Sequence, residues 1–581
     1  MNCNHNVAQL RLLSEKFPNE LVIISVHSAK FPAEGLTSNI RQAIMRHGLD
    51  HPVVNDVNFQ IWQSYTVKAW PTVVIIDPQG KIVHTQSGEI LAEEFAPQIE
   101  ALVNDFEGKG LLNRTPLDLR TERIQEPMRP LNYPAKVLLT DKGILYIADT
   151  GHHRLLEVQL GEDSLNGEIV RVFGNGQPGL QNGPAATAAF NGPHGLALSG
   201  ETLYVADTEN HAIRAIDLLS GTVRLVAGTG HKAHGRFMLG EPTETPLRSP
   251  WALLVVDDIV FIAMAGTHQI WALLHEEQIG PFFGNGREAL VDGDQMQSSF
   301  NQPSDLSLGM GHMFVADSEA SAIRAISLLE QKPHVVTLVG QGLFEFGDVD
   351  GLGSMVRLQH PTGLTFYEGL VYIADTYNHK IKTLDPLTGQ VKTLIGMGQP
   401  GDADGAFNEA ELFEPEGVVA SEGRLYIADT NNHLIRVADL ANGMLQTLML
   451  RGLERLQPLL AEEARPPDLR FDPLLVMAGQ VTLYFDLELP AGYKFNPEAP
   501  LTLRVNQNGA KAIHTFAPGQ VPTLTLNVEA NQDLILELTL YYCETEEERL
   551  CLIHDTRLVL PFLVAEAGPP VVRIPYRVPL M

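Results

Sequence analysis

Cysteine is nearly missing from this chain. Three thiols, Cys3, Cys543 and Cys551, among 581 residues are too few for a disulfide scaffold, and they suit a reducing cytosol. Long apolar runs are missing too. None approaches the ~18 residues that a bilayer-spanning helix needs, and no secretory signal precedes the first helix. Positive charge is outnumbered: 41 Lys and Arg face 70 Asp and Glu, for a formal net charge of −29. Such a surface repels phosphate backbones and anionic lipid, so neither nucleic acid nor membrane is an expected partner. What the chain does have is glycine (50) and proline (37), with 44% apolar and 19% charged residues. That composition reads as a folded, turn-rich β protein, and the length implies about three or four domains.

Residues 1–107 alternate helical and strand patterns. Val7, Leu10, Leu13 and Phe17 recur at helical spacing, and Leu21 to Val26 reads as a buried strand. Leu36, Ile40, Ala43, Ile44 and His47 mark a second helix. Two strands follow around the turn DPQG, from Val73 to Ile76 and from Lys81 to Thr85, and then a helix from Ala92 to Val103. This alternation argues for a three-layer α/β domain.

Three motifs narrow that reading. Trp70-Pro71-Thr72 stands directly before a strand and resembles the cis-proline motif of the thioredoxin superfamily. VHSAKFP at 26–32 resembles the thioredoxin-like domain of the NHL-repeat-containing protein 2 family. Asn2-Cys3-Asn4-His5 matches the second half of that family's Cys-x-x-Cys motif. The resemblance implies that Cys3 is the resolving cysteine and that the nucleophilic cysteine and the central strand lie upstream of Met1. On this expectation the chain is truncated just inside a redox motif. The strands near 21–26 and 73–76 then lose the neighbour between them. The resemblance also gives Pro71 the positioning of substrate backbone and places Trp70 beside the site. The helix dipole favours a thiolate at Cys3. Alone, Cys3 could form a mixed disulfide but not resolve it.

Residues from about 125 to 450 are dominated by a repeat. LYIADTGHHRLLEV (145–158), LYVADTENHAIRAI (203–216), MFVADSEASAIRAI (313–326), VYIADTYNHKIKTL (371–384) and LYIADTNNHLIRVA (425–438) are close copies. VFIAMAGTHQIWAL (260–273) is a degraded sixth. Each follows a proline: Pro134, Pro193, Pro250, Pro303, Pro361 or Pro415. One four-stranded blade per repeat predicts a six-bladed propeller. The copies resemble NHL repeats. Glycine-rich inserts with a DG turn separate most of them and are expected to form loops on one face.

The repeated polar residues have structural explanations. Asp149, Asp207, Asp317, Asp375 and Asp429 suit turn caps rather than catalysis. His153, His211, His379 and His433 are spread over different blades, whereas a metal needs ligands within ~2–2.6 Å. Asp348, Asp350, Asp402 and Asp404 of the inserts do not reproduce an EF-hand, and the GxG pairs open no βαβ unit. His194 and His360, beside blade-opening prolines, keep a metal-dependent lyase or lactonase open. No metal set is assigned, and no cofactor is expected.

After Arg465-Pro466-Pro467, a linker, strands with alternating polarity predict an antiparallel β-sandwich. Cys543 and Cys551 flank a short acidic segment there. They could pair if their Cα atoms approach within about 7 Å, and they are candidate accessory thiols. The expected domains are therefore 1–107, α/β thioredoxin-like and lacking its first strand; 108–455, a six-bladed NHL-type β-propeller; and 465–581, the sandwich. The leading functional expectation is thiol–disulfide exchange, with the propeller as a platform for a protein partner or thiol substrate. A non-catalytic scaffold is the alternative.

Overall fold

The computed structural model describes residues 2–115, 129–233, 235, 238–329, 332–456, 469–497, 499–507, 510–517, 520–545, 551–565 and 567–579. The Arg465–Pro467 linker lies outside them. The chain divides into two compact units, 1–125 with 232–394, and 126–231 with 395–581.

The first unit opens with α1 (Asn2–Lys16), β1 (Ser25–His27), α2 (Thr37–Arg46), β2 (Val53–Asn55), α3 (Gln60–Ser64), β3 (Thr72–Ile76), β4 (Ile82–Ser87) and α4 (Ala92–Gly108). The α1 pattern read from the sequence puts Leu13 and Phe17 into a core with Ile90, Phe95, Ala96 and Ile99. The strands form two separate pairs, β1 with β2 in parallel and β3 with β4 antiparallel. Val22, Ile24 and Val26 stay exposed. The β2 strand and the short α3 were not expected; each is too brief for periodicity to register.

Each of the six repeats forms one sheet, at 134–173, 183–227, 250–283, 293–339, 351–395 and 405–447. Four strands in each are hydrogen-bonded in chain order. The second, fourth, fifth and sixth sheets gain a two-residue strand from the glycine-rich insert. The first sheet gains Met449–Arg451, parallel to Asn166–Phe173. The third stays at four strands. The first unit holds the third to fifth sheets, whose first strands pack side by side; the third and fourth share a core with Phe261, Phe283, Phe300 and Met313, and the fourth and fifth one with Phe314, Ile323, Leu364 and Ile373. The second unit holds the first, second and sixth. A Cβ at Gly417 would sit 2.5 Å from the Ala135 carbonyl, so glycine permits the first strands of the sixth and first sheets to meet.

The C-terminal domain has a seven-stranded and a three-stranded sheet sharing one core, with Leu483, Phe485, Leu526 and Ile574 against Leu503, Leu536, Leu538 and Leu560. The pairing is mixed rather than purely antiparallel. Gly479–Glu488 runs parallel to Val571–Arg577, and Leu474–Met477 runs parallel to Cys551–Ala565. Polar alternation reports which face is buried, not strand direction, so the sequence could not show this. Tyr541 and Ile553 of this domain join the core of the first and sixth sheets.

Candidate functional site

The repeated aspartates form fully buried hubs. Asp149, Asp207, Asp317, Asp375 and Asp429 are all 0% exposed. One carboxylate oxygen of each accepts a backbone N–H, from Asn132, Asn191, Asn301, Gln359 and Phe413 at 2.5–2.7 Å. The other faces a cation: Arg154, Arg214, Arg324, Lys382 or Arg436. The inserts supply the far side. Asn182, Asp292 and Asp404 accept from Arg214, Arg324 and Arg436 at 2.8, 2.8 and 2.5 Å. Asp348 and Asp350 both pair with Lys382. These carboxylates are therefore occupied by lysine and arginine.

The histidines are equally structural. His153, His268 and His433 have φ of 51°, 56° and 59°, and each Nδ1 accepts the backbone N–H of Gly192, Gln302 or Tyr133 at 3.1–3.3 Å. In the fourth sheet Ser321 Oγ accepts from His360 N–H at 3.1 Å instead. His211 and His379 share the left-handed turn position. His194 Nδ1 donates to the Gly192 carbonyl at 2.9 Å, and His360 stacks on Tyr377. Among the described residues no group of three or more His, Cys, Asp or Glu is placed to hold a metal ion.

The other cluster gathers around the first turn of α1. Trp70-Pro71 is a cis peptide, matching the motif. The Pro71 carbonyl accepts Gly88 N–H at 2.8 Å, and the Gly88 carbonyl accepts Asn6 Nδ2 at 3.3 Å. Two hydrogen bonds thus tie Pro71 to the helical turn that carries Cys3. Trp70 Nε1 donates to the Ser28 carbonyl at 2.8 Å, and its ring lies 4.4 Å from Trp62. Trp70 is 39% exposed. Cys3 is exposed. Even so, crowding by surrounding protein pushes its thiol up from the ordinary value; Glu34 and Glu319 push the same way, and the amino terminus opposes them. Desolvation thus outweighs the helix-dipole effect expected there.

The helical turn that carries Cys3 is held to the segment leading into the third sheet. Two residues on, His5 Nδ1 donates to Glu89 at 2.5 Å and its Nε2 accepts from Ser249 Oγ at 2.8 Å. This is the tautomer that the network selects. Glu89 also holds Lys232 at 2.9 Å and Arg248 at 2.7 Å. Burial alone would raise the Glu89 carboxyl, but these three cationic or donor groups hold it well below its usual range. Burial pushes the His5 imidazole down, despite Glu89. Gly266 makes room beneath the latch, since a Cβ there would meet Arg248 Cγ at 2.5 Å.

A second set of contacts comes from VHSAKFP. Lys30 pairs with Glu319, whose carboxyl lies at about 2 because His360 and Lys30 outweigh its desolvation. Phe31 is 2% exposed, with its ring 4.7 Å from Phe346 and 5.4 Å from both His360 and Tyr377. Glu34 caps this loop by accepting the N–H of Lys30 and of Phe31, each at 3.0 Å. The docking role of Lys30 and Phe31 was missed from sequence, although the motif itself had been singled out. An exposed-looking Lys beside a Phe in a loop is the signal that could have raised it.

The accessory thiols belong to the second compact unit. Cys543 is 2% exposed and disulfide-bonded, and Cys543 and Cys551 are Cα partners on adjacent antiparallel strands.

The thioredoxin-like family model matches residues 1–82, and the NHL repeat model matches 190–216 and 414–438. The chain is 34% identical, over 97% of its length, to NHL repeat-containing protein 2 of Bos taurus, and covers 86% of that protein. It belongs to the NHL repeat-containing protein 2 family. It is also 36% identical, over 97% of its length, to Protein SUPPRESSOR OF QUENCHING 1, chloroplastic, of Arabidopsis thaliana, and spans 56% of that protein. Among solved structures, a streptogramin B lyase aligns at a TM-score of 0.34 and 9% identity, over 56% of this chain and 87% of that one. Family and domains together support a redox-associated propeller protein.

Proposed function

We propose that the N-terminal domain of this family member takes part in thiol–disulfide exchange, with the propeller as the platform that presents a protein or thiol partner. The observation that carries this is the pair of hydrogen bonds that ties Pro71 through Gly88 to Asn6, in the helical turn of Cys3. In exchange, an attacking thiolate forms one S–S bond to the substrate and expels the substrate's other sulfur as a thiolate. A resolving thiolate then attacks the first cysteine's sulfur, forms a disulfide with it and expels the substrate's remaining sulfur as a thiolate. Attack and resolution both need a thiolate, and burial, which raises the Cys3 thiol, works against each of them.

The same raised thiol also favours a second reading, a non-catalytic scaffold. The test uses the chain as it stands and a chain extended by a cysteine before Met1 with its leading strand. Reduction of a peptide disulfide by dithiothreitol is followed with each. Exchange predicts turnover for the extended chain, and for the present chain a mixed disulfide trapped on Cys3 without turnover. No turnover and no mixed disulfide in either would leave the scaffold reading in place.

A further inference from the structure

The chain that leaves the sixth sheet finishes the outer side of the first. In the second, fourth and sixth hubs the arginine Nη2 donates to an insert carbonyl, of Gln181, Val291 or Ala403, at 2.9–3.2 Å. In the first, Arg154 Nη1 donates to the Leu456 carbonyl at 3.4 Å. Where the other sheets carry an insert strand, the first carries Met449–Arg451, paired with Asn166, Gly167 and Glu168. A Cβ on Gly452 would meet the Ile169 carbonyl at 3.0 Å, so the segment lies tight against that strand. Leu453 and Leu456 turn into the core shared by the first and sixth sheets, and Ala499, Tyr541 and Ile553 of the C-terminal domain are buried in the same core. Tyr541 and Ile553 are Cα partners, and their neighbours Leu540, Tyr542 and Leu552 belong to the sandwich core or its strands, so the pair lies on the sheet's opposite face. Among the described residues, the cores between the first and second, third and fourth, and fourth and fifth sheets hold only residues of those sheets and their inserts. The C-terminal domain therefore packs selectively on the seam where the series of repeats begins and ends.

We infer that residues 449–456 are a strap across the seam between the first and sixth sheets, and that the C-terminal domain is the lock that holds the strap down. With the lock docked, the outer side of the first sheet is paired and Arg154 keeps the Leu456 carbonyl. With it undocked, the apolar cover over Leu453 and Leu456 is gone. A three-residue strand is too short to stay in place by its main-chain hydrogen bonds alone, since each contributes little net stability. The strap then lifts and the edge of the first sheet opens, a local opening that leaves the rest of the fold intact. The device couples the Tyr541–Ile553 face to the pairing of a propeller edge strand, and it is independent of the exchange reading.

The test is native-state amide hydrogen exchange of the full chain, read by mass on four segments: 449–456, 166–169, Lys380–Asp385 of the fifth sheet and 534–540 of the sandwich. Ile553→Glu puts a charge into the seam, on the face of its sheet that points away from the sandwich core. A lock predicts exchange at 449–456 and 166–169 at least about tenfold faster than in the unmodified chain, with the fifth sheet and the sandwich within about twofold. Ile553→Val keeps the apolar contact and is expected to stay within about twofold at all four segments. Unchanged exchange at 449–456 in the Ile553→Glu chain overturns the inference. A rise of the same size in the fifth sheet overturns it too, because that marks a general loss of stability rather than a released strap. Should Ile553→Glu strip protection from the sandwich itself, Ile553→Ala, which only opens a cavity at the seam, is read by the same criteria.

Discussion

The third and fourth sheets lie side by side in one unit and fill the same point of their fold in opposite ways. In the fourth, buried Asp317 and Arg324 pair at 3.0 Å and Asp292 of the insert closes over the arginine. In the third, the equivalent positions are Met264 and Trp271, 0% and 1% exposed, and among the described residues the insert joins the sheet as a single bridge, Gly240 with Ile279, rather than a strand. The segment preceding the third sheet instead sends Lys232, Arg248 and Ser249 to Glu89 and His5. Two lessons follow. The aspartate is architectural, since an apolar pair can replace it. A sheet released from the hub also frees its preceding loop to hold another domain.

The comparison breaks most sharply at Arg324. Arg324→Leu leaves Asp317 buried without its cation and should lower unfolding free energy by about 3–5 kcal/mol, read from the urea midpoint. In the third sheet, Trp271→Ala opens a cavity rather than stranding a charge. The expected loss is about 3 kcal/mol, with no change in its dependence on pH. Moving the third sheet's solution into the fourth, as Asp317→Met with Arg324→Trp, should fall within about 2 kcal/mol of the unmodified chain, because buried ion pairs often exchange neutrally for well-packed apolar groups. Asp292, left behind, has a half-exposed side chain and can be hydrated.

The smallest effect concerns pH at the latch. The folded His5 value lies below 6.5, so the unfolded chain binds its proton first. The stability His5 contributes is whole above 6.5 and is lost as pH falls through the folded value. Glu89, held low, keeps its contribution above 4.5 and loses it on further acidification. The stability difference between the unmodified chain and His5→Gln should therefore shrink from pH 7.5 to 5, with a slope no steeper than about 1.4 kcal/mol per pH unit. A difference that is flat or grows on acidification would remove the latch from the account.

Much of this was legible in the residues. The spacing of the Ala-Asp-Thr copies marked six sheets because the four main strands of each repeat pair with one another in chain order. Trp70-Pro71 announced its own cis bond, since proline chemistry is local. Lys30, Phe31 and Glu89 did not announce theirs. Their partners, Glu319, Phe346 and Arg248, lie far along the chain, and no periodicity carries that distance. The direction of strand pairing in the C-terminal domain was hidden for the same reason.

The strand Met449–Arg451 adds its edge to the first sheet beside Asn166–Phe173. During synthesis the first of the six sheets to leave the ribosome is therefore the last to be finished. Until the chain has grown past Arg451, Asn166–Phe173 presents an open row of amides and carbonyls. A stop codon even slightly before residue 449 would leave that edge without its parallel partner.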